Sequence, residues 1–211
     1  MLFRLSIRLN SQTRPLGAPV RLTNDEGSVF TVSVSADGRR IVYGKGVPQP
    51  DVYIAKLGAA GNMEEPQRLT LDDRRDLPYD WTADNQAVIF ASDRTGTFSL
   101  YKQRLDQTMP EMLVSAAQQV MGPRLTPDGT HILYMLNPNW EGPDSEVPLM
   151  SVPLAGGPAR ELARAKWIAN VQCARAPATV CLYSVLSDSG DRKSTRLNSS
   201  HEIPSRMPSS A

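Results

Sequence analysis

"TPDGTHILY" (Thr126–Tyr134) decides the fold, because the chain has said nearly the same thing twice before, as "SADGRRIVY" (Ser35–Tyr43) and "TADNQAVIF" (Thr82–Phe90). Superposing the three phrases aligns Asp37, Asp84 and Asp128, spaced by 47 and 44 residues. A period of that size belongs to repeat architectures. Fifteen residues before each Asp stands a leucine in a short apolar stretch: Leu22, Leu69 and Leu113. The register is therefore shared over whole units. A fourth leucine of this kind, Leu162, places the next turn at Pro177, so the repeat continues in degenerate form.

The pairs Asp37–Gly38, Asp84–Asn85 and Asp128–Gly129 suit tight turns, since Gly and Asn tolerate positive φ and the Asp carboxylate can accept from nearby backbone amides. Each pair is expected to close a hairpin. The residues that follow are apolar at consecutive positions: "IVY" (41–43), "VIF" (88–90), "ILY" (132–134) and "CLY" (181–183). Strands apolar on both faces sit in sheets packed between two others. The radially stacked blades of a propeller are such an arrangement. Third strands follow in "DVYIAKL", "SLYKQRL" and "PLMSVPL", giving four strands per unit. The fold class predicted is all-β, a partial β-propeller of four-stranded antiparallel blades with a disordered C-terminal tail. The expected boundaries are a blade remnant at 1–20, blades at 21–67, 68–111 and 112–160, and a partial blade at 161–190.

Bulk properties exclude several functional classes. Charged residues make up 21% and hydrophobic residues 40% of the 211 residues, an ordinary globular balance. The net charge of +1 provides no global field for nucleic acid or an anionic membrane. No apolar run approaches the roughly 20 residues of a membrane span. The expected partner is a protein or small ligand, without nucleic acid or a membrane span in this segment.

"RLT" with "SADGRRIVY", "WTADNQAVIF" with "ASDRTGTFSLY", and "LTPDGTHILY" resemble the TolB-type, WD-like propeller repeat over roughly residues 2–190. That resemblance implies an extracytoplasmic, non-catalytic recognition module. The stretch from Leu154 to Ser184 is also similar to propeller segments appended to bacterial serine/threonine kinases or winged-helix regulators, although neither a kinase loop nor a winged helix stands in the chain. The rival from another class is the propeller portion of a larger enzyme, such as a prolyl oligopeptidase-type peptidase, with its catalytic residues elsewhere.

From Asp191 the chain reads "DRKSTRLNSSHEIPSRMPSSA", with neither hydrophobic period. Back-translated in one frame, these residues resemble a common short-read sequencing adapter. Residues 191–211 are therefore expected to be an artefactual, unstructured tail, with the authentic chain stopping near Gly190. Without them the chain has 19 basic and 20 acidic residues, and the Ser-Arg tail gives no reason to expect RNA binding.

Candidate chemistry is sparse. Cys173 and Cys181 flank Pro177 symmetrically, so they would face each other across a hairpin. Cys181 also fills the site of Ile41, Val88 and Ile132, which suits a small buried hydrophobe. Two reduced core thiols rank first, a disulfide second, and metal or redox chemistry last, since two sulfurs do not complete a zinc site. His131 follows the third turn where other units carry Arg40 and Ala87, which makes it an ordinary strand residue. No G-x-S-x-G elbow exists, so no catalytic residue, metal ligand or cofactor site is assigned. "LDDRRD" (71–76) lacks the spacing of an EF-hand loop and reads as a solvated connection. Trp81 is expected to pack; Trp140, in the Pro-rich insertion "NPNWEGPDSEVP" (137–148), is the candidate binding-loop aromatic.

Overall fold

A computed structural model gives the fold and describes residues 5–6, 20–21, 28–46, 49–58, 62–137, 146–166, 168–186 and 192–198. Every regular element among them is a β-strand. Trp140 and residues 199–211 lie outside the described residues. No helix among the described residues is long and apolar enough to cross a membrane.

Strands β1 (Leu5–Ser6) and β2 (Val20–Arg21) form a short antiparallel pair. The first four-stranded sheet runs β3 (Ser28–Val34), β4 (Arg40–Gly46), β5 (Asp51–Lys56) and β6 (Gln67–Arg68). The second runs β7 (Asp76–Trp81), β8 (Ala87–Ser92), β9 (Ser99–Arg104) and β10 (Glu111–Val114). The third comprises β11 (Gln119–Leu125), β12 (His131–Asn137), β13 (Glu146–Pro153) and β14 (Arg160–Lys166). The last has three strands, β15 (Ile168–Cys173), β16 (Val180–Leu186) and β17 (Arg192–Asn198). In all four sheets the strands lie side by side in chain order, each antiparallel to its neighbour. Hairpins alone make this topology, because a strand reversed by a short loop pairs with the strand it left.

The chain divides into two compact units, Met1–Met112 and Leu113–Ala211. In the first, β3 runs beside β7, and Val42 and Val52 of one sheet pack on Trp81, Val88, Phe90 and Tyr101 of the next. In the second, β11 runs beside β15, and Leu133, Val147 and Leu149 pack on Ile168, Val171, Cys181 and Tyr183. β8 is buried at all six positions, as its apolar run requires. Antiparallel meanders stacked face to face in this way are blades, and the chain is a partial β-propeller.

The sheets are out of phase with the sequence repeat by one strand. Leu113 and Leu162, read as openings of new blades, lie in β10 and β14, the outermost strands of the preceding sheets, and Leu69 directly follows β6. A hairpin return places each such strand on the sheet it has just left, and periodicity alone does not register that step. Arg192–Asn198 pair as β17 along the whole of β16, and the rest of the expected tail, residues 199–211, lies outside the described residues. Main-chain hydrogen bonding is indifferent to side-chain identity, so the open edge of β16 accepts a sequence with little hydrophobic pattern. Every first strand also carries a bulge, between Phe30 and Val32, Pro78 and Asp80, Met121 and Arg124, and Ile168 and Asn170. Such bulges bend and twist a strand; nothing in the hydrophobic pattern announced them.

Candidate functional site

The repeated aspartates are consumed by the turns that carry them. Ser35, Thr82 and Thr126 donate their hydroxyls to Oδ1 of Asp37, Asp84 and Asp128, each at 2.6 Å. The same oxygens accept the amides of Arg39, Gln86 and Thr130 at 3.0, 3.0 and 3.1 Å. The hydroxyl oxygens in turn accept the amides of Arg40, Ala87 and His131 at 2.9, 3.0 and 3.0 Å. Each carboxylate thus holds a hairpin shut from inside. The Ser35 and Thr82 hydroxyls, followed by the backbone amides, hold Asp37 and Asp84 below the ordinary carboxylate range. Burial pushes Asp128 upward, but the Thr126 hydroxyl and Thr130 amide outweigh it and the net direction is also down.

Gly38, Asn85 and Gly129 take φ of +70°, +58° and +72°, the left-handed region that the closing residue of these turns requires. The Asn of the second turn has a use that glycine lacks. Its Oδ1 accepts the amide of Ala36 at 2.7 Å and its carbonyl accepts Arg40 Nη1 at 3.1 Å, tying the first and second hairpins together. N85A is expected to cost about 1–2 kcal/mol, combining left-handed strain with the lost bond. N85G loses only the bond and is expected to cost under about 1 kcal/mol. Urea denaturation of the two variants checks the order.

Cys173 and Cys181 are disulfide-bonded, so the pair of reduced thiols ranked first from the sequence is not what the fold contains. The register gives the reason. Ala174 N donates to Val180 O, which makes that pair the hydrogen-bonded one and puts Cys173 opposite Cys181 in the next, non-bonded pair, where side chains stand closest. Cys181 still packs as a core residue, 2% exposed. Replacing both cysteines by alanine is expected to cost about 2–3 kcal/mol, given the 8-residue separation. Chemical denaturation with and without reductant measures it. The Pro177 turn lacks the Asp network and closes through Ala178 N to Arg175 O at 3.1 Å.

His131 Nδ1 meets the Thr130 hydroxyl at 2.8 Å, and Trp81 is fully buried in the core of the first unit. "LDDRRD" is less solvated than its composition suggests, because Asp76 is 0% exposed. Arg94 bridges it, with Nη2 3.2 Å from Asp76 Oδ1 and 2.9 Å from Asp72 Oδ2, while its guanidinium carbon lies 4.6 Å from the Tyr101 ring centroid. Burial pushes the Asp76 carboxyl up, opposed by the Ser92 hydroxyl and the Arg94 charge. Among the described residues no group of three or more His, Cys, Asp or Glu is placed to hold a metal ion.

A cleft of about 350 Å³ lies in the first unit between β5–β6 and the end of β9. Ile54, Leu69 and Leu105 form its floor and themselves pack on the Trp81 cluster. Leu71, 65% exposed, stands at its mouth, with Arg40, Lys56, Arg68, Glu64 and Glu65 around it. Register puts Trp81, Val88 and Gln103 in one row across β7–β9. Gln103 Nε2 donates to the carbonyls of Leu69 and Gln107, both lining residues, at 3.3 and 3.0 Å. Its Oε1 and the Trp81 indole nitrogen are buried without a hydrogen bond. An apolar floor with a mixed-charge rim, and no His, Cys or Ser in the lining, suits binding of an amphipathic surface. Sequence reasoning missed this cleft because its floor is assembled from Ile54 in β5 and from Leu69 and Leu105, the residues that follow β6 and β9, in two different sheets.

No family profile and no curated protein matches the chain. Solved structures do. A TolB protein of Agrobacterium tumefaciens matches 72% of this chain and 55% of its own, at 21% identity and a TM-score of 0.61. Puromycin hydrolase matches 86% of this chain and 29% of its own, at 17% identity and a TM-score of 0.67. Prolyl oligopeptidase B of Galerina marginata matches 95% of this chain and 31% of its own, at 10% identity and a TM-score of 0.64. The chain spans about half of the first and under a third of the other two. These likenesses concern the fold: it is TolB-like and of the β-propeller class.

Proposed function

We propose that this chain is a non-catalytic recognition segment of a TolB-like propeller, and that it binds a protein partner through the Leu71 cleft. The cleft carries the reading: a large apolar side chain stands exposed over an apolar floor inside a charged rim, the make-up of a contact surface. The fate of the acidic residues supports it, since the three repeated carboxylates are engaged by turn hydroxyls and amides. The Cys173–Cys181 disulfide supports an extracytoplasmic setting, where such bonds persist.

A photo-crosslinking residue placed at position 71 is expected to trap one discrete adduct in an extracytoplasmic extract, and a second exchange in the same cleft, L105D, to abolish it. The same probe at Arg39, outside the cleft, is expected to trap none. Equal trapping at both positions would remove the cleft, and turnover of peptide p-nitroanilides by this chain would end the non-catalytic reading.

The likeness to two hydrolases favours a second reading, in which the segment is the propeller portion of a larger peptidase whose catalytic residues lie outside these 211. The genomic reading frame on either side separates the readings. A downstream G-x-S-x-G elbow selects the peptidase, and a kinase loop or winged helix selects a regulator's sensor segment. The same DNA settles residues 191–211, which we read as adapter-derived.

A further inference from the structure

We infer that the partner enters the Leu71 cleft with an apolar side chain and sets an arginine or lysine of its own against Glu65. The inference deepens the recognition reading and rests on it.

The rim decides the charge of the occupant. Its basic residues are Arg40, Lys56 and Arg68, and its acids are Glu64 and Glu65. By number alone the rim would favour an anion. Each base, however, already faces an acid of this chain. Arg68 Nη2 lies 2.7 Å from Asp51 Oδ1 and donates to the Asp72 carbonyl at 2.8 Å. Lys56 Nζ stands 4.0 Å from Glu64 Oε2. Arg40 donates through Nη1 to the Asn85 carbonyl at 3.1 Å, and its charge reaches Asp37. Glu65 is left over: it is exposed and makes neither an ion pair nor a hydrogen bond among the described residues. An anionic occupant would compete with an acid already in place at every base, whereas a cation meets a carboxylate that nothing else engages.

The rest of the lining suits a cation carried on an apolar stem. Gln67 and Thr108 are exposed, and their side chains make no hydrogen bond among the described residues, so each offers an oxygen to a donor. Beneath lie Ile54, Leu69 and Leu105, and Met109, next after Thr108, is 75% exposed. Arginine and lysine lay their methylene stems along such apolar surface while the charged head stays at the rim. At about 350 Å³ the cleft is at the small end of ligand-sized pockets, so side chains fill it and the partner's backbone stays outside.

The probes are n-hexylguanidinium, hexanol and hexanoate, titrated into the full chain while the methyl resonances of Leu69, Leu71 and Leu105 are followed by NMR. Hexylguanidinium is expected to bind most tightly and hexanoate least, with about 3-fold between successive probes, the scale of a surface ion pair. E65Q is expected to bring hexylguanidinium within about 2-fold of hexanol and to leave hexanol unchanged. K56Q, which frees Glu64, is expected to tighten hexylguanidinium by a further factor of about 2. Equal binding of the three probes, preference for hexanoate, or a preference for the cation that survives E65Q would overturn the inference and leave the recognition reading standing. A cleft that takes none of the three up to their solubility limits would overturn both.

Discussion

Replacing Arg94 by alanine is expected to cost about 3–5 kcal/mol of unfolding free energy, the scale for stranding a buried charge. Asp76 is wholly buried, its Oδ2 has no hydrogen bond, and Arg94 reaches its Oδ1 at 3.2 Å. The arginine is itself held on three further sides: by Asp72, by the Ser92 hydroxyl oxygen at 3.0 Å from Nε, and by the rings of Tyr101 and Phe90. Lysine keeps the charge but not the planar fork, so R94K is expected to recover only part of the loss. The double variant D76N/R94A is expected to be more stable than R94A alone, since it removes the charge left behind. The sign with pH follows from the raised carboxyl. A carboxyl whose folded pKa is raised contributes stability at low pH that is lost as pH rises through the folded value. Removing Arg94 raises it further, so the R94A penalty is expected to shrink as pH falls from neutrality into the range where Asp76 protonates. Urea denaturation across that range measures both effects.

Trp81→Ala is expected to be as damaging, about 3–5 kcal/mol, because the indole is 0% exposed at the centre of the cluster joining the first two sheets. Phenylalanine should restore most of it. The indole nitrogen makes no hydrogen bond, so W81F gives up volume and no polar partner. A W81F variant as unstable as W81A would mean that the nitrogen is engaged. Equilibrium denaturation followed by circular dichroism distinguishes the two.

The fold was legible because its cause is local and repeated. An Asp-Gly or Asp-Asn turn followed by an apolar triplet states a hairpin and a doubly buried strand in nine residues, and the chain states it three times. The out-of-phase sheets and the strand at 192–198 were not legible, because both are set by which open edge lies nearby. The disulfide lay at the limit. Symmetry about Pro177 put Cys173 opposite Cys181, but the choice of non-bonded pair depends on a hydrogen-bond alternation that spacing does not reveal. Of the site, Leu69 and Trp81 were visible as packing residues. The Leu71 cleft was hidden because Ile54, Leu69 and Leu105 are 15 and 36 residues apart and meet only after the sheets stack. Asp76 and Arg94 were hidden for a related reason, since an acid-rich loop reads as solvated until its last residue is seen to enter a strand.

The claim on which the rest depends is that the recurrent aspartates close turns and do no chemistry. A carboxyl held below its ordinary pKa contributes stability above the unfolded value and loses it as pH falls through the folded one. Carbon-detected NMR titration of the aspartate carboxyls tests this most directly. Asp37, Asp84 and Asp128 should all titrate below the ordinary 3.8 while Asp76 titrates above it. A turn aspartate that held its proton toward neutral pH, as a general acid must, would contradict the account.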